Sequence, residues 1–408
     1  MHAWSAAIAL ALALGTAVRA AVLPAAPAPI VVGYYTTWYK NQTAGVDLSK
    51  YTHVNIAFAS PTTQSGLELL DDISMSDAVS EIHAANAKAI ISVGGWTNSG
   101  NFSDIVKSDA TRATFVKNIA AFLDQYGLDG VDIDWEYPGN PGDTCNVVDK
   151  ANDTPNLLKL LRELRAALDG AGKCGGARKL ITMAVALAPF RVNGEPSKDV
   201  SEFARVADYI HLMAYDVNGL WSETTGPNAP LFFEDGKGAA SSLAAGIDAW
   251  TAAGWPAHKI TAGVPFYGRA LTATANMLLE PNNQYQNHTA VLPQGDVEDL
   301  PATDVCAGTT GVSGQWMYKY LRSEGVLKGP TEAAAPWVRT WDDTTKTPWL
   351  FNPQTNTFIT YDDAQSIKAK VDYAASKGLA GIMVWALYND YQNELLDVLH
   401  TWGAPTSS

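Results

Sequence analysis

The sequence predicts an α/β protein that folds as a closed (β/α)8 barrel, because eight short β-rich runs alternate with amphipathic helical stretches. Strands that alternate with helices indicate a parallel sheet, and eight such units indicate a closed barrel instead of an open sheet. The predicted strands are Ile30–Tyr35, Thr52–Phe58, Ala89–Val93, Val131–Trp135, Leu180–Ala186, Tyr209–Ala214, Ile260–Pro265 and Gly381–Trp385. The helical stretches include Ser76–Asn86, Arg112–Tyr126, Asn156–Asp169, Ala239–Ala253 and Ala364–Lys377.

A long segment separates the seventh and eighth predicted strands. It is rich in Asn, Thr, Pro and Trp, and it contains the strand-like pieces Trp337–Trp341 and Thr357–Tyr361. A structureless loop of such length is uncommon in a compact domain. We therefore predict a small α+β insertion domain at residues 270–361, and a barrel formed by residues 30–269 and 362–402.

The composition restricts the classes of partner. Acidic residues number 42 and basic residues 28, which gives a net charge of −14. This balance argues against nucleic acid, whose phosphates require Lys and Arg, and against an anionic membrane surface. The 13 Trp residues outnumber the 11 Phe residues, and the flat face of Trp suits sugar rings as well as core packing.

The N-terminus resembles a secretory leader. A short apolar run from Ala6 to Leu14 precedes Val18-Arg19-Ala20, which predicts a signal peptide at residues 1–20 cut after Ala20. A membrane anchor is the alternative, but the run is too short to span a bilayer. Residues 21–29 form a Pro/Ala lead-in. We expect a secreted, extracellular protein, soluble and monomeric.

Secretion gives meaning to sequons and cysteines. Asn41, Asn101, Asn152 and Asn287 each begin an Asn-X-Ser/Thr sequon, and one or two of the four could be chance matches. Three cysteines are too few for a disulfide scaffold. Cys145 and Cys174 flank one helical segment and could pair, which would leave Cys306 over, but sequence does not decide the pairing.

The fourth strand carries three acidic residues. Asp132, Asp134 and Glu136 recur with period two, so their carboxyls share the face toward the barrel axis, while Ile133 and Trp135 face the helices. Neighbours on that face are about 6.7 Å apart, so we expect them to share a proton and not to ionise together. Glu136 falls at the carboxyl end of the strand, where barrel active sites lie. A protonated carboxyl beside an ionised one suits acid catalysis of glycoside cleavage.

Two other interpretations of the acidic strand fit the sequence less well. A solvated acidic edge conflicts with a strand that has other strands on both sides. A divalent metal site lacks supporting ligands, because the seven histidines show no HxH or HExxH spacing. No G-x-S-x-G elbow or phosphate-binding P-loop is present. We therefore expect no metal and no cofactor.

With these motifs the chain resembles glycoside hydrolase family 18, the chitinases. The segment Asp129–Glu136 has the DxxDxDxE signature of that family and is followed by Tyr137-Pro138. The resemblance covers about residues 30 to 402 and is that of a secreted fungal chitinase of the long, insertion-bearing kind. The other family landmarks occur in order at Ser92–Trp96 (SVGGW), Met213–Asp216 (MAYD), Val264–Arg269 (VPFYGR) and Gly381–Trp385 (GIMVW).

The resemblance implies substrate-assisted retaining hydrolysis of β-1,4 linkages in chitin, in which the 2-acetamido oxygen of the sugar attacks the anomeric carbon. Glu136 would be the general acid and then the base. Asp134 would orient the acetamido group, and Asp132 would share a proton with Asp134. Tyr215 would donate its hydroxyl to the acetamido oxygen.

The resemblance also implies a set of sugar contacts. Trp385 would form the floor beneath the reacting sugar, and Asp216 and Arg269 would hydrogen-bond nearby sugar units, although Arg269 could serve only in an ion pair. The remaining predicted contacts are Tyr35, Phe58, Trp96, Met213 and Trp221. Each of Trp316, Trp337 and Trp341 could be either insertion core or sugar contact.

Two alternative functions share this scaffold. A chitin-binding lectin would lack the acid, whereas Glu136, Asp134 and Tyr215 are all present. An endo-β-N-acetylglucosaminidase would trim N-glycans with the same chemistry. The resemblance further implies cis peptide bonds at Ala57–Phe58, Glu136–Tyr137 and Trp385–Ala386.

Overall fold

The computed structural model describes residues 28–39, 43, 45–71, 73–172, 177–304 and 306–403. The predicted leader, most of the lead-in, Asn41 and Cys174 lie outside these residues. Eight parallel strands close into a barrel in which each strand pairs with its neighbours in chain order and the first pairs with the last. They are β1 (Ile30–Thr36), β2 (His53–Pro61), β3 (Lys88–Gly94), β4 (Gly130–Asp134), β5 (Leu180–Val185), β6 (Tyr209–Leu212), β7 (Ile260–Pro265) and β8 (Gly381–Trp385).

Helices pack around the barrel, and side-chain caps define where several of them begin. The predicted helix start at Arg112 lies three residues late, because Ser108 caps the helix by accepting the Thr111 N–H at 3.2 Å. Ser242 caps a helix that begins later than predicted, at Leu243. The α-helices are Met75–Ala84, Phe102–Val106, Asp109–Tyr126, Asp153–Gly172, Ser201–Val206, Leu243–Ala252, Tyr318–Ser323, Ala364–Ser376 and Glu394–Leu399.

The segment between β7 and β8 forms a second sheet. Its first strand begins at Tyr267, two residues after β7 ends and three residues before the predicted boundary. The five antiparallel strands are, in sheet order, Gln315–Met317, Tyr267–Thr272, Thr357–Thr360, Thr347–Asn352 and Val338–Asp342. Two hairpins accompany this sheet, Ala302–Asp304 with Thr309–Gly311 and Leu327–Gly329 with Glu332–Ala333.

Smaller elements complete the described chain. The strand Leu67–Leu69 pairs antiparallel with β2, and Arg191–Val192 pairs with Glu195–Pro196. Short 3-10 helices occur at Leu48–Lys50, Ala257–Lys259, Met277–Leu279 and Leu387–Asn389. In the described part of the chain, no helix is both long enough and apolar enough to cross a bilayer.

Three groups of buried apolar side chains hold these layers together. The largest lies between the barrel wall and the helices, and it includes Trp135, whose ring stacks on Phe102 at 5.1 Å. A second group lies under the five-stranded sheet between β7 and β8, which we call the insertion sheet, and it includes Trp349 and Phe358. The third lies inside the barrel beneath the strand ends and consists of Val32, Tyr34, Ala57, Met383 and Ala386. The predicted outward direction of Ile133 and Trp135 is confirmed.

The cysteine pairing differs from the predicted candidate. Cys145 forms a disulfide with Cys306, with their Cα atoms 5.2 Å apart, so the pair Cys145–Cys174 was wrong. The partners are separated by 161 positions in sequence. The insertion brings its 302–311 hairpin to the loop that follows β4, a proximity that nearness in the chain does not indicate.

The described sequons differ in accessibility. Asn152 and Asn287 are exposed. Asn101 is half-buried, and its side-chain amide donates to the Pro61 carbonyl oxygen at 2.8 Å. A glycan on Asn101 would have to displace this contact, so the two exposed sites are the better acceptors.

Closure of the barrel depends on a residue without a side chain. Gly381 pairs with Ile30 of β1 and Thr261 of β7, and a Cβ at Gly381 would lie 1.8 Å from the Ile30 carbonyl oxygen. Gly381→Ala should therefore destabilise the protein by about 3 kcal/mol or more, because backbone on the closing strand would have to move. Denaturant unfolding measures the change.

Gly170→Ala is the matched control. Gly170 is exposed in the helix Asp153–Gly172, and a Cβ there would meet nothing within 4 Å. This substitution should stabilise the protein by up to about 1 kcal/mol, since Ala favours helix over Gly. Equal effects of the two substitutions would contradict the close approach at the β1–β8 seam.

Candidate active site

A cavity of about 830 Å³ opens at the carboxyl ends of the barrel strands. This is the end of a barrel at which loops from many strands converge and active sites form. Ten of the residues predicted from sequence line it: Phe58, Trp96, Asp134, Glu136, Met213, Tyr215, Asp216, Trp221, Arg269 and Trp385.

Asp132 lies below the cavity and is completely buried. Its Oδ2 accepts hydrogen bonds from the Tyr34 hydroxyl at 2.7 Å and the Ser92 hydroxyl at 2.8 Å. Its Oδ1 accepts from the Thr182 hydroxyl at 2.7 Å. Three donors from β1, β3 and β5 occupy three of the about four acceptor sites of a carboxylate, so the group is held rigidly under the next acidic residue.

Asp134 is buried between the other two acidic residues. Burial, followed by the charges of Glu136 and Asp132, raises its pKa well above the ordinary Asp value. Its Oδ1 is buried without a hydrogen-bond partner among the described residues. A protonated Asp134 can give its proton to a neighbouring carboxylate, which agrees with the shared proton expected from the spacing of the acidic residues on the strand.

Glu136 lies two residues beyond the end of β4 and reaches into the cavity. Burial raises its pKa to about 7, with Asp216 contributing and the hydrogen bond with Tyr137 opposing the rise. At neutral pH the carboxyl is therefore close to half protonated. A group of that kind can donate a proton and later accept one.

The Tyr215 hydroxyl has a weak hydrogen-bond acceptor within the protein. It contacts the Met383 Sδ at 3.8 Å, and a thioether is a poor acceptor. Burial raises the pKa of Tyr215 well above the ordinary value, so the O–H stays protonated and available to donate to a ligand in the cavity.

Aromatic rings form one wall of the cavity. Trp385 stacks with Phe58 at 5.8 Å and 22° between planes, and it contacts Tyr34 at 5.3 Å. Trp38 lies over Phe58 at 6.2 Å and is 45% exposed. Such flat, partly exposed faces suit stacking with sugar rings. The predicted cis peptide bonds Ala57–Phe58, Glu136–Tyr137 and Trp385–Ala386 are confirmed.

An ion pair joins the barrel to the insertion sheet across the cavity. Asp216 Oδ1 accepts from the Arg269 Nε at 2.7 Å and from the Tyr267 hydroxyl at 2.6 Å. The Arg269 guanidinium lies over the Trp221 ring at 5.2 Å. Arg269 thus both forms an ion pair and lines the cavity, whereas the sequence left these roles as alternatives.

The predicted sugar contact on β1, Tyr35, does not line the cavity. Tyr35 is half-buried and packs on the outer core, while Tyr34 points into the barrel and lines the cavity. Successive strand side chains point to opposite faces, and both phases of this strand are apolar, so its pattern did not set the direction. Trp38 and Tyr267 were also missed, although each lies at the carboxyl end of a barrel strand.

The three undecided tryptophans lie away from the cavity. Trp316 is buried in the main core and Trp337 packs against it, whereas the Trp341 indole donates to Asp343 Oδ1 at 3.0 Å. Among the described residues, one group of three potential metal ligands lies within 4.8 Å, Asp143, Asp304 and Cys306. This group is outside the cavity, and its Cys306 is in the disulfide.

Comparison with known proteins finds a family that matches most of the chain. The family described as glycosyl hydrolases family 18 matches residues 30–390. The chain belongs to this family. A protein named chitinase-like effector from Moniliophthora roreri is 36% identical over 92% of this chain and 93% of its own length. Chitinase A1 from Niallia circulans is 32% identical over 95% of this chain and 61% of its own length.

Solved structures show the same fold. The crystal structure of a chitinase from Rhizomucor miehei matches with a TM-score of 0.82 and 34% identity, over 91% of this chain and 98% of that one. A mutant class V chitinase from Nicotiana tobaccum, in complex with NAG4, matches with a TM-score of 0.77 and 26% identity, over 92% and 99%.

The raised pKa of Glu136 predicts a pH-dependent stability. Ionisation costs folding free energy as the pH rises from the ordinary Glu value of 4.5 to about 7. The full cost would be about 3 kcal/mol, which solvent in the cavity reduces to roughly 1–2 kcal/mol. Glu136→Gln should therefore stabilise the protein at pH 8 and have little effect at pH 4, as measured by denaturant unfolding.

Glu195→Gln is the control for this measurement, because Glu195 is exposed and outside the cavity. Its effect should be the same at both pH values. A stabilisation by Glu136→Gln that is equal at pH 4 and pH 8 would show that packing, not ionisation, causes it.

Proposed function

We propose that this protein is a chitinase that hydrolyses β-1,4 linkages between N-acetylglucosamine units by substrate-assisted, retaining catalysis. The observation that carries the proposal is the pair of raised-pKa carboxyls, Asp134 and Glu136, beside the half-buried Trp385 ring and the Tyr215 hydroxyl. Acid groups, an aromatic platform and a phenol hydroxyl that can donate together suit an N-acetylated sugar.

In the first step the substrate supplies the nucleophile. A sugar stacked on Trp385 would place its 2-acetamido group between Asp134 and Tyr215, where Asp134 accepts the amide N–H and Tyr215 donates to the carbonyl oxygen. That oxygen attacks the anomeric carbon as the glycosidic bond breaks. Glu136 gives its proton to the departing oxygen, which leaves a carboxylate and a cyclic oxazolinium ion.

In the second step Glu136 acts as the base. Its carboxylate takes a proton from water, and the water oxygen attacks the anomeric carbon from the side that the leaving group vacated. The carbon–oxygen bond to the acetamido group breaks, which restores the acetamide, and the proton taken from water leaves Glu136 protonated for the next cycle. Asp134 can exchange its proton with Asp132, whose position is fixed by the Tyr34, Ser92 and Thr182 hydroxyls.

The names of the relatives support the substrate class and also supply rivals. Relatives at 32% identity are named Chitinase A1 and Chitotriosidase-1. Two others are named chitinase-like effector, which favours testing a chitin-binding role without turnover. A family-18 N-acetylglucosaminidase from Paenibacillus barengoltzii matches with a TM-score of 0.73 at 27% identity. Intact Glu136, Asp134 and Tyr215 favour hydrolysis over binding alone.

We further propose that the protein acts outside the cell as a glycosylated monomer, and that residues 267–360 form an insertion domain that deepens the substrate cleft. The leader-like N-terminus and the exposed sequon residues Asn152 and Asn287 support secretion. Tyr267 and Arg269, on the first strand of the insertion sheet, line the cavity, which supports a role in holding a linear chain.

Loss of the acid should separate binding from turnover. Glu136→Gln keeps the size of the side chain and removes the proton donor, so hydrolysis of chitin hexamer should fall by about 1,000-fold or more while binding persists. Product release measured by chromatography and binding measured by calorimetry report the two properties. Glu195→Gln should behave as wild type.

Retention of more than a few per cent activity in Glu136→Gln would contradict the acid assignment. An inactive wild type that binds chitin oligomers would instead support the lectin rival. Preferential release of glycans from a high-mannose glycoprotein would support the endoglycosidase.

Hydrolysis should release products with the β configuration. The acetamido oxygen inverts the anomeric centre and water inverts it again, so the net outcome is retention. Proton NMR of fresh hydrolysate, recorded before mutarotation, distinguishes the anomers. An initial α product would contradict the mechanism, and so would full turnover of substrates that lack the acetamido group.

A further inference from the structure

Side chains from two different loops hold the backbone polar groups of Glu136. Strand β4 ends at Asp134, so the sheet ladder does not hold the backbone at Glu136. The Glu136 N–H donates to Ser99 Oγ at 2.9 Å, and the Glu136 carbonyl oxygen accepts from Asn146 Nδ2 at 2.9 Å. Neither Ser99 nor Asn146 lines the cavity. Together they restrict the backbone from which the Glu136 carboxyl projects.

Ser99 is itself held firmly. It is completely buried, and its hydroxyl donates to the Gly95 carbonyl oxygen at 2.9 Å. The Gly95 N–H in turn donates to the Asp134 carbonyl oxygen at 2.7 Å. At Gly94, where φ is +110°, a Cβ would lie 2.2 Å from that same carbonyl. The loop after β3 is therefore packed directly onto the end of β4, with the Ser99 hydroxyl accepting from the Glu136 N–H.

Asn146 belongs to a turn that wraps the Glu136 carbonyl. A Cβ at Gly142 would lie 1.9 Å from the Glu136 carbonyl oxygen, and the Asn146 N–H donates to the Asp143 carbonyl oxygen at 3.0 Å. The close approach at Gly142 and the Asn146 amide both act on the same oxygen, so the turn limits how far that oxygen can move.

Anchors on both sides fix Asn146 in the chain. The preceding residue, Cys145, is bonded to Cys306 of the insertion. The carbonyl of the following residue, Val147, accepts from the buried Ser103 hydroxyl at 2.8 Å. An amide between two such attachments loses little further entropy when it binds the Glu136 carbonyl.

We propose that Ser99 and Asn146 are positioning residues that aim the Glu136 carboxyl, and that the Cys145–Cys306 disulfide keeps Asn146 within reach. This inference rests on the proposed function, in which Glu136 is the general acid. An acid must lie within hydrogen-bond distance of the glycosidic oxygen, and a displacement of about 1 Å can cost roughly 100-fold in rate. Sugar binding relies on the aromatic wall instead, so affinity should change little.

The test compares Asn146→Asp with wild type on chitin hexamer. Asp has the size of Asn but cannot donate to the Glu136 carbonyl when it is ionised. The value of kcat should fall by about 10- to 100-fold, with KM within about threefold of wild type. Ser99→Ala should act in the same direction. Thr144→Ala is the control, because Thr144 is exposed in the same turn and its hydroxyl donates to Asp143 Oδ1 at 3.4 Å, not to the Glu136 carbonyl oxygen.

The disulfide is tested by the double substitution Cys145→Ser with Cys306→Ser. Because the Ser103–Val147 contact remains, kcat should fall by a smaller factor than in Asn146→Asp, about 3- to 10-fold. Adding the two Cys substitutions to Asn146→Asp should bring little further loss, since both changes act on one contact. Fully additive losses would overturn the role of the disulfide.

Crystal structures of the variants test the positioning role independently of the proposed function. In Asn146→Asp the Glu136 carboxyl should be displaced while Trp385 and Asp132 stay in place, whether or not the wild type hydrolyses chitin. An active wild type with unchanged kcat and an unmoved Glu136 in Asn146→Asp would overturn the positioning role. An inactive wild type with a displaced Glu136 in the variant would contradict the proposed chitinase activity. It would still support the restraint of the Glu136 backbone by Asn146.

Discussion

The site depends on the burial of three carboxyl groups on one face of one strand. Ionised carboxylates at that spacing repel one another in a poorly solvated interior, and desolvation penalises each charge further. The barrel satisfies Asp132 with three hydroxyl donors from three different strands. It leaves Asp134 and Glu136 with raised pKa values. Hydrogen-bond donors thus satisfy the carboxyl at the bottom of the stack, while burial raises the pKa of the two carboxyls nearer the cavity.

The hydroxyls that solvate Asp132 also require the barrel to close accurately. Tyr34 comes from β1, Ser92 from β3 and Thr182 from β5, and each meets one carboxylate at 2.7–2.8 Å. A register slip of one residue in any of these strands would turn its hydroxyl outward. Closure at Gly381, where β8 approaches the Ile30 carbonyl, therefore acts on the acidic stack as well as on stability.

Sequence was informative where periodicity or a dense motif fixed the direction of a side chain. Asp132, Asp134 and Glu136 are polar in an otherwise apolar strand, so their common face was evident, whereas β1 is apolar on both faces and Tyr35 was chosen in place of Tyr34. Contacts between distant loops produce no recognisable pattern in the sequence. Cys145 is bonded to Cys306 of the insertion. Ser99 and Asn146 contact the Glu136 backbone from segments without regular secondary structure. Such contacts depend on loop conformation, which the alternation of strands and helices does not encode.

The insertion sheet influences the acid through charge as well as shape. Asp216 adopts a left-handed backbone with φ of +57°, a conformation that Asp tolerates better than most residues. Its N–H donates to Asn228 Oδ1 at 3.1 Å, and its carboxylate receives Tyr267 and Arg269 from the insertion. The Asp216 charge raises the pKa of Glu136, while the paired guanidinium partly neutralises that charge. The acid strength of Glu136 is therefore set jointly by its own burial and by a barrel carboxylate that the insertion holds in place.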